Sequence, residues 1–200
     1  MNYDNIYKQN SHTWGDKPNK LLAMICDDLE SGSYFLDLGC GQGRDSLFMA
    51  KNGFQVTAVD SSSEGINDLN GLAMKAGVEM ELICKSIKEF EIESNKYSII
   101  NIFNTLQFLK KDDALEVIDN VKNKLRSGGH MIIAGFTKND PLFKFEENKD
   151  RGFFELGELK NLFSDFEMIF YRELIIDDLG HAGFEEPHEH GVVRMVAKKS

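Results

Sequence analysis

Phe35-Leu-Asp-Leu-Gly-Cys-Gly-Gln-Gly-Arg-Asp45 is the stretch that decides the fold. The apolar run Tyr34 to Leu38 reads as a short strand. Glycines at 39, 41 and 43 follow, and Asp45 to Asn52 then carries apolar residues at helical spacing until Gly53 closes it. Glycines between a strand and a helix permit a tight turn and let a ligand come close to the backbone. The helix N-terminus behind them offers unbonded N–H groups and the positive end of its dipole. The next strand, Gln55 to Asp60, ends in a carboxylate 21 residues after Gly39 (60 − 39). A nucleotide ribose would find an acceptor for its hydroxyls there. A glycine loop alone is only a tight turn; the strand before, the helix after and the acid on the next strand make it a nucleotide site.

Outward from that unit the same rhythm continues. Ser61 to Ala76 reads as a helix ended by Gly77, Glu79 to Cys84 as a third strand and Tyr97 to Phe103 as a fourth. Asp112 to Leu125 reads as a helix and His130 to Gly135 as a fifth strand. Strands alternating with helices indicate parallel βαβ units, and short continuous apolar runs fit strands covered on both faces. Beyond Gly135 the pattern changes. A helix over 155–164 precedes two strands, Glu167 to Ile176 and Gly191 to Ala197, with no helix between them, which is the pattern of an antiparallel pair. The expected architecture is a single α/β domain over 1–200. It is a doubly wound, Rossmann-like, seven-stranded sheet, mostly parallel with an antiparallel last strand and helices on both faces. Residues 20–200 form the core, and 1–19, with Tyr3, Tyr7 and Trp14, form an N-terminal arm that either covers the site or hangs loose.

Composition sets bounds on partners. The 200 residues carry 23 Lys+Arg against 33 Asp+Glu, a formal net charge of −10. Binding to nucleic acid draws on neutralised phosphates, so a nucleic-acid partner is not expected. An acidic field suits a cationic or neutral small ligand. Cys26, Cys40 and Cys84 show neither metal spacing nor a disulfide framework and read as reduced cytosolic thiols. Met1 to Tyr7 lacks an apolar signal core and no apolar run reaches membrane-spanning length, so the expectation is a cytoplasmic monomer or homodimer without a membrane partner.

The residues also discriminate between nucleotides. A dinucleotide site wants Gly-x-Gly-x-x-Gly on its pyrophosphate; here Arg44 follows Gly43, and Asp37 stands ahead of the glycines. A carboxylate there repels a pyrophosphate and suits an ammonium group, which favours an amino-acid nucleoside. No Gly-Lys-Ser/Thr follows, so a Walker loop is excluded.

Asp37-Leu-Gly-Cys-Gly-Gln-Gly43 resembles the first motif of class I S-adenosylmethionine-dependent methyltransferases. The segment from Asp45 to Asp60 is similar to that of the tellurite-resistance methyltransferases, a subgroup that also resembles thiopurine methyltransferases. Arg126-Ser-Gly-Gly-His130 matches the turn before the fifth strand. Phe154-Glu-Leu-Gly-Glu-Leu159 and Arg194-Met-Val-Ala-Lys-Lys199 resemble the late helix and last strand of that subgroup. The resemblance implies S-adenosyl-L-methionine as methyl donor, with S-adenosyl-L-homocysteine as product. It places Asp37, Gly39, Cys40, Gly41 and Gly43 at the methionine end and Arg44 on the donor carboxylate. It also puts Asp60 and Ser61 at the ribose, Ser86 and Ile87 beside adenine, and Phe103 and Asn104 over the methionine backbone. Two positions depart from the pattern: Ser86 lies where an Asp commonly reaches the adenine amine, and Ser98 replaces a common Asp of the fourth strand.

Ligands in open α/β sheets bind outside the carboxyl ends of the strands. On that edge fall Trp14, the loop after the fifth strand with Phe136, Phe143, Phe145 and Phe153, and the turn Asp177 to His190, which holds His181, His188, His190 and five acids. Trp14, Phe136, Phe143 and His188 are candidate acceptor-side residues. His190, His181 and Arg194 are candidates for catalysis, the histidines as a base for an oxygen or nitrogen acceptor. Two histidines spaced His-x-His do not make a metal site without further ligands and supporting partners, so no metal is assigned and the turn reads as a solvated hairpin loop. The reading is transfer of a methyl group to a small acceptor such as a thiol or a chalcogen oxyanion. A nicotinamide oxidoreductase and a non-catalytic donor-binding module are the alternatives.

Overall fold

Along β1 (Tyr34–Leu38) side chains alternate between two faces: Phe35 and Asp37 point one way, Leu36 and Leu38 the other. The same alternation runs through β2 (Gln55–Asp60), β4 (Ile99–Phe103) and β5 (His130–Phe136), so the sheet carries an apolar core on each side. In this computed structural model, residues 3–10, 13–180 and 186–200 are described. One core packs Leu36, Leu38, Ile100, Ile102 and Ile133 under α5 (Lys111–Lys124) and α6 (Glu158–Leu162). The other packs Phe35, Val56, Ala58, Ile99 and Ile132 under α2 (Lys20–Ile25), α3 (Arg44–Lys51) and α4 (Ser63–Ala76).

With β3 (Glu81–Cys84), β6 (Phe166–Asp178) and β7 (His188–Lys199), the seven strands run in the order β3-β2-β1-β4-β5-β7-β6. The first five pair in parallel. β7 pairs antiparallel with β5 on one side and β6 on the other. The chain's last strand is therefore inserted between β5 and β6. Strand order reverses between β1 and β4, which opens a crevice beyond their carboxyl ends.

Several boundaries differ from the sequence expectation. α4 begins at Ser63 because the hydroxyl of Ser62 accepts the N–H of Gly65 as an N-cap. α6 begins at Glu158, not at 155, because Gly157 is left-handed at φ 78 and cannot sit inside a helix. The last two strands are longer than expected, their ladder running from Phe166↔Lys199 to Asp178↔His188. Asp177, Asp178 and His188 to His190 therefore belong to strands, not to a hairpin loop: backbone pairing continues past the apolar run that betrays a strand in sequence. The polar N-terminal stretch contains α1 (Tyr3–Gln9), which packs on α4. No helix among the described residues is long and apolar enough to cross a membrane.

Candidate functional site

A cleft of about 1420 Å³ lies over the carboxyl ends of the parallel strands. Every donor-side residue singled out in sequence lines it: Asp37, Gly39, Cys40, Gly41, Gly43 and Arg44 after β1; Asp60 and Ser61 after β2; Ser86 and Ile87 after β3; Phe103 and Asn104 after β4. Trp14, Phe136, His190 and Arg194 line it as well. Phe143 and His188 do not. Phe143 lies behind the wall, against Phe153, with the Lys149 ammonium over its ring at 4.4 Å. Candidate base His181 falls outside the described residues.

The glycine loop is held by backbone geometry that only glycine adopts cheaply. Gly39 and Gly43 both have φ 80, and side chains there would collide with Thr105 at 2.3 Å and Leu69 at 2.1 Å. Asp60 clamps the loop from the next strand: one carboxylate oxygen accepts the N–H of Gly41 at 2.8 Å, the other that of Ser62 at 2.8 Å. Burial raises the Asp60 carboxyl above its ordinary range, and these N–H donors pull it back in part. Asn104, just after β4, is left-handed at φ 53, a strained position for a residue with a side chain; its carbonyl accepts the Gln107 amide at 2.8 Å. The Gln107 amide oxygen, on the cleft lining, is buried without a hydrogen-bond partner among the described residues.

Asp37 sits at the cleft floor, 2% exposed. Its oxygens accept from the Ser46 hydroxyl at 2.6 Å and the Asn101 amide at 2.8 Å. Burial, and next the neighbouring Asp45 carboxylate, push Asp37 up to about 7. Asp45 in turn takes the backbone and side-chain N–H groups of Asn19, at 2.8 and 2.7 Å, and the Arg44 guanidinium at 3.0 Å. Arg44 also lies over the Phe103 ring, 5.5 Å from its centre, and donates to the Trp14 carbonyl at 3.4 Å. Sequence reading missed Asn19, Asp45, Ser46 and Asn101 as site residues. Asp45 stands in the first turn of α3, where an acid is common on helix-dipole grounds alone. The one available signal was Asn101, an amide amid the apolar residues of β4, since a buried polar group needs partners.

Across the cleft, α1 covers the loop. Tyr7 Oη lies where a Gly41 side chain would come within 2.7 Å, and the Ser62 hydroxyl donates to Asp4 at 2.5 Å. The Tyr3 ring meets Phe108 edge-on at 5.1 Å. The other end of the cleft is built from β5, β6 and β7. His190, 5% exposed, stacks on Phe136 at 4.5 Å between ring centres and points Nδ1 at buried Asp140, 2.8 Å away. Its Nε2 lies 2.9 Å from Nε2 of His188. Arg194, on the same face of β7, is half-buried and makes no hydrogen bond or ion pair among the described residues; burial lowers the pKa of its guanidinium. Sequence reading missed Asp140, whose Asn-Asp-Pro context reads as a plain turn.

Residues 25–182 match the family described as Tellurite resistance protein TehB. The chain belongs to the TehB family. The probable S-adenosyl-L-methionine-dependent methyltransferase TehB of Haemophilus influenzae (strain Rd) is 32% identical over 145 residues, covering 69% of this chain and 47% of that protein. A carboxy-S-adenosyl-L-methionine synthase of Idiomarina loihiensis is 29% identical over 151 residues, 68% of this chain and 61% of that protein. The chain thus spans about half the length of its TehB relative (47%). The crystal structure of TehB from Haemophilus influenzae superposes with a TM-score of 0.81 at 23% identity, covering all (100%) of this chain and 68% of that one, so the two share the fold.

Proposed function

We propose that this TehB-family chain transfers a methyl group from S-adenosyl-L-methionine to a small acceptor, a thiol or a chalcogen oxyanion such as tellurite. The observation that carries the reading is the glycine loop clamped by Asp60, with Asp37 buried beside it, at the point where strand order reverses. When bound, the donor supplies a sulfonium-activated methyl group and leaves as S-adenosyl-L-homocysteine. The residues fit it. Asp37 offers a buried carboxylate to an ammonium, Asp60 a carboxylate to ribose hydroxyls, and Gln107 Oε1 is an acceptor still lacking a donor. Arg44, paired with Asp45 on the cleft lining, would meet the donor carboxylate. Ser86 and Ile87 would lie beside the adenine, and Asn104 over the methionine end.

Arg194, without an ion-pair partner among the described residues, gives the acceptor end a cation, which favours an anionic acceptor. A soft nucleophile needs no base, and positioning supplies most of the rate. The chain acts as one unit with α1 as a lid that excludes water, as a monomer or homodimer.

Calorimetric titration with S-adenosylmethionine and with NAD, followed by mass spectrometry of products from a thiol and oxyanion panel, tests the proposal. Micromolar donor binding and a labelled methyl group on one of these acceptors are expected; NAD binding in place of the donor overturns it. Asp60→Ala is expected to weaken donor binding about tenfold or more, since a charged hydrogen bond is worth roughly 1.5–3 kcal/mol.

A further inference from the structure

The mouth of the β6–β7 hairpin holds a cluster that methyl transfer does not use. Asp178 and His188 are directly opposed in the antiparallel ladder, and His190 lies two residues along, so all three side chains share one face. Each histidine has its Nδ1 committed. His188 Nδ1 lies 2.8 Å from the Glu186 carbonyl oxygen, which can only accept. His190 Nδ1 lies 2.8 Å from Asp140, a buried carboxylate that also accepts the N–H groups of Leu142 and Gly191 at 2.8 and 3.1 Å. With Nδ1 donating in both rings, each neutral imidazole presents an Nε2 lone pair, and the two Nε2 atoms face each other at 2.9 Å. Two nitrogens converging at that distance can share a single cation. The Asp178 carboxylate completes the triangle: one ligand atom from each of Asp178, His188 and His190 lies within 4.8 Å of the others. Asp178 is itself fixed, one oxygen accepting the Gly180 N–H at 2.8 Å.

We propose that Asp178, His188 and His190 bind a divalent transition-metal ion at the acceptor end of the cleft. Two imidazoles and a carboxylate suit zinc, cobalt or nickel, whereas magnesium and calcium take oxygen ligands. Asp140 is the positioning residue: a carboxylate on the far nitrogen of a ligating histidine fixes its tautomer and aims the other nitrogen at the metal. Metal–nitrogen bonds of about 2.0–2.1 Å in a tetrahedral site put the two nitrogens roughly 3.3 Å apart, so loading moves the rings by a few tenths of an ångström. Asp178 and His190 line the same cleft as Arg194, so the ion faces the space in which an anionic or thiolate acceptor would sit. That role rests on the proposed reaction; the metal site itself does not.

The test uses the full chain, stripped with chelator. Zinc is titrated in competition with a chromophoric chelator, and cobalt is followed by its visible absorption. One equivalent of each metal is expected to bind. His188→Gln and Asp178→Asn should weaken binding at least about tenfold, and Asp140→Asn by roughly 10- to 100-fold with an altered cobalt spectrum. Donor affinity, measured on the same samples, is expected to stay unchanged in His188→Gln, which shows that the fold is intact and separates this outcome from failure of the donor reading. Absence of stoichiometric binding, or equal binding by wild type and His188→Gln, overturns the proposal. So does nitrogen NMR showing a proton shared between the two Nε2 atoms that zinc does not displace.

Discussion

Asp37 is a carboxyl group held away from water, with both oxygens occupied by Ser46 and Asn101 and a second acid, Asp45, nearby. Its pKa rises from 3.8 to about 7 in the folded chain. The sign follows from linkage. An acid whose pKa is raised on folding favours the fold while protonated; that contribution is complete below 3.8 and is lost as pH climbs through about 7. Near neutrality the ligand-free site therefore works against its own fold, and an arriving ammonium relieves the strain by drawing Asp37 into its charged form. Donor binding should release a proton and tighten with pH between about 5.5 and 7, by up to about tenfold per unit; above that range an α-amino group with pKa about 7.7–8.0 begins to lose its own charge. Calorimetry in buffers of different ionisation enthalpy measures both effects. Asp37→Asn should weaken binding and flatten the slope; a slope that survives in that variant would assign the proton elsewhere. Asp37 is legible in sequence because it stands two residues before the first glycine of the loop. Its partners are not visible in sequence, because Ser46 on α3 and Asn101 on β4 come from separate elements that only the fold brings to it.

At the scale of elements, α1 has seven residues, too few to hold a helix in water alone. It persists because it is docked: Asp4 on Ser62, Tyr7 over Gly41, Tyr3 on Phe108. Gly41→Ala tests this directly. The new methyl would lie 2.7 Å from Tyr7 Oη, on a backbone at φ 55 that costs an L-residue about 1–2 kcal/mol. Hydrogen exchange is expected to show residues 3–10 losing protection while β1, β4 and β5 keep theirs; unchanged exchange at 3–10 would mean that α1 does not depend on the loop. Elements with strong apolar period were readable in sequence, as β1, β2, β4, β5, α4 and α5 illustrate. Elements stabilised by contact were not. α1 is polar and reads as an arm, and the ends of β6 and β7 are polar residues kept in the ladder by their partner strand. The same extension hid the third member of the histidine cluster. Asp178 is ten residues from His188 (188 − 178), and only the register sets them face to face.

At the scale of the molecule, the sheet's two cores meet at β7. Val193, Met195 and Ala197 pack into one and Val196 into the other, all fully buried. A chain ending before His188 would leave β5 and β6 without a shared partner and open both cores. Such a truncation is expected to abolish the cooperative thermal transition seen by circular dichroism, whereas a sharp transition would show that β1 to β5 fold without it. Insertion of the last strand has a consequence for how the protein is made. A nascent chain that has emerged only through Asp178 carries the open edge of β5 and an unpaired β6, both rich in apolar residues. The remaining residues to Lys199 (199 − 178 = 21) take about 1–4 s to synthesise. Throughout that interval the half-built sheet presents edges at which a second nascent chain on the same polysome could add its own strand, so the loss to inclusion bodies should rise with the crowding of ribosomes on the message.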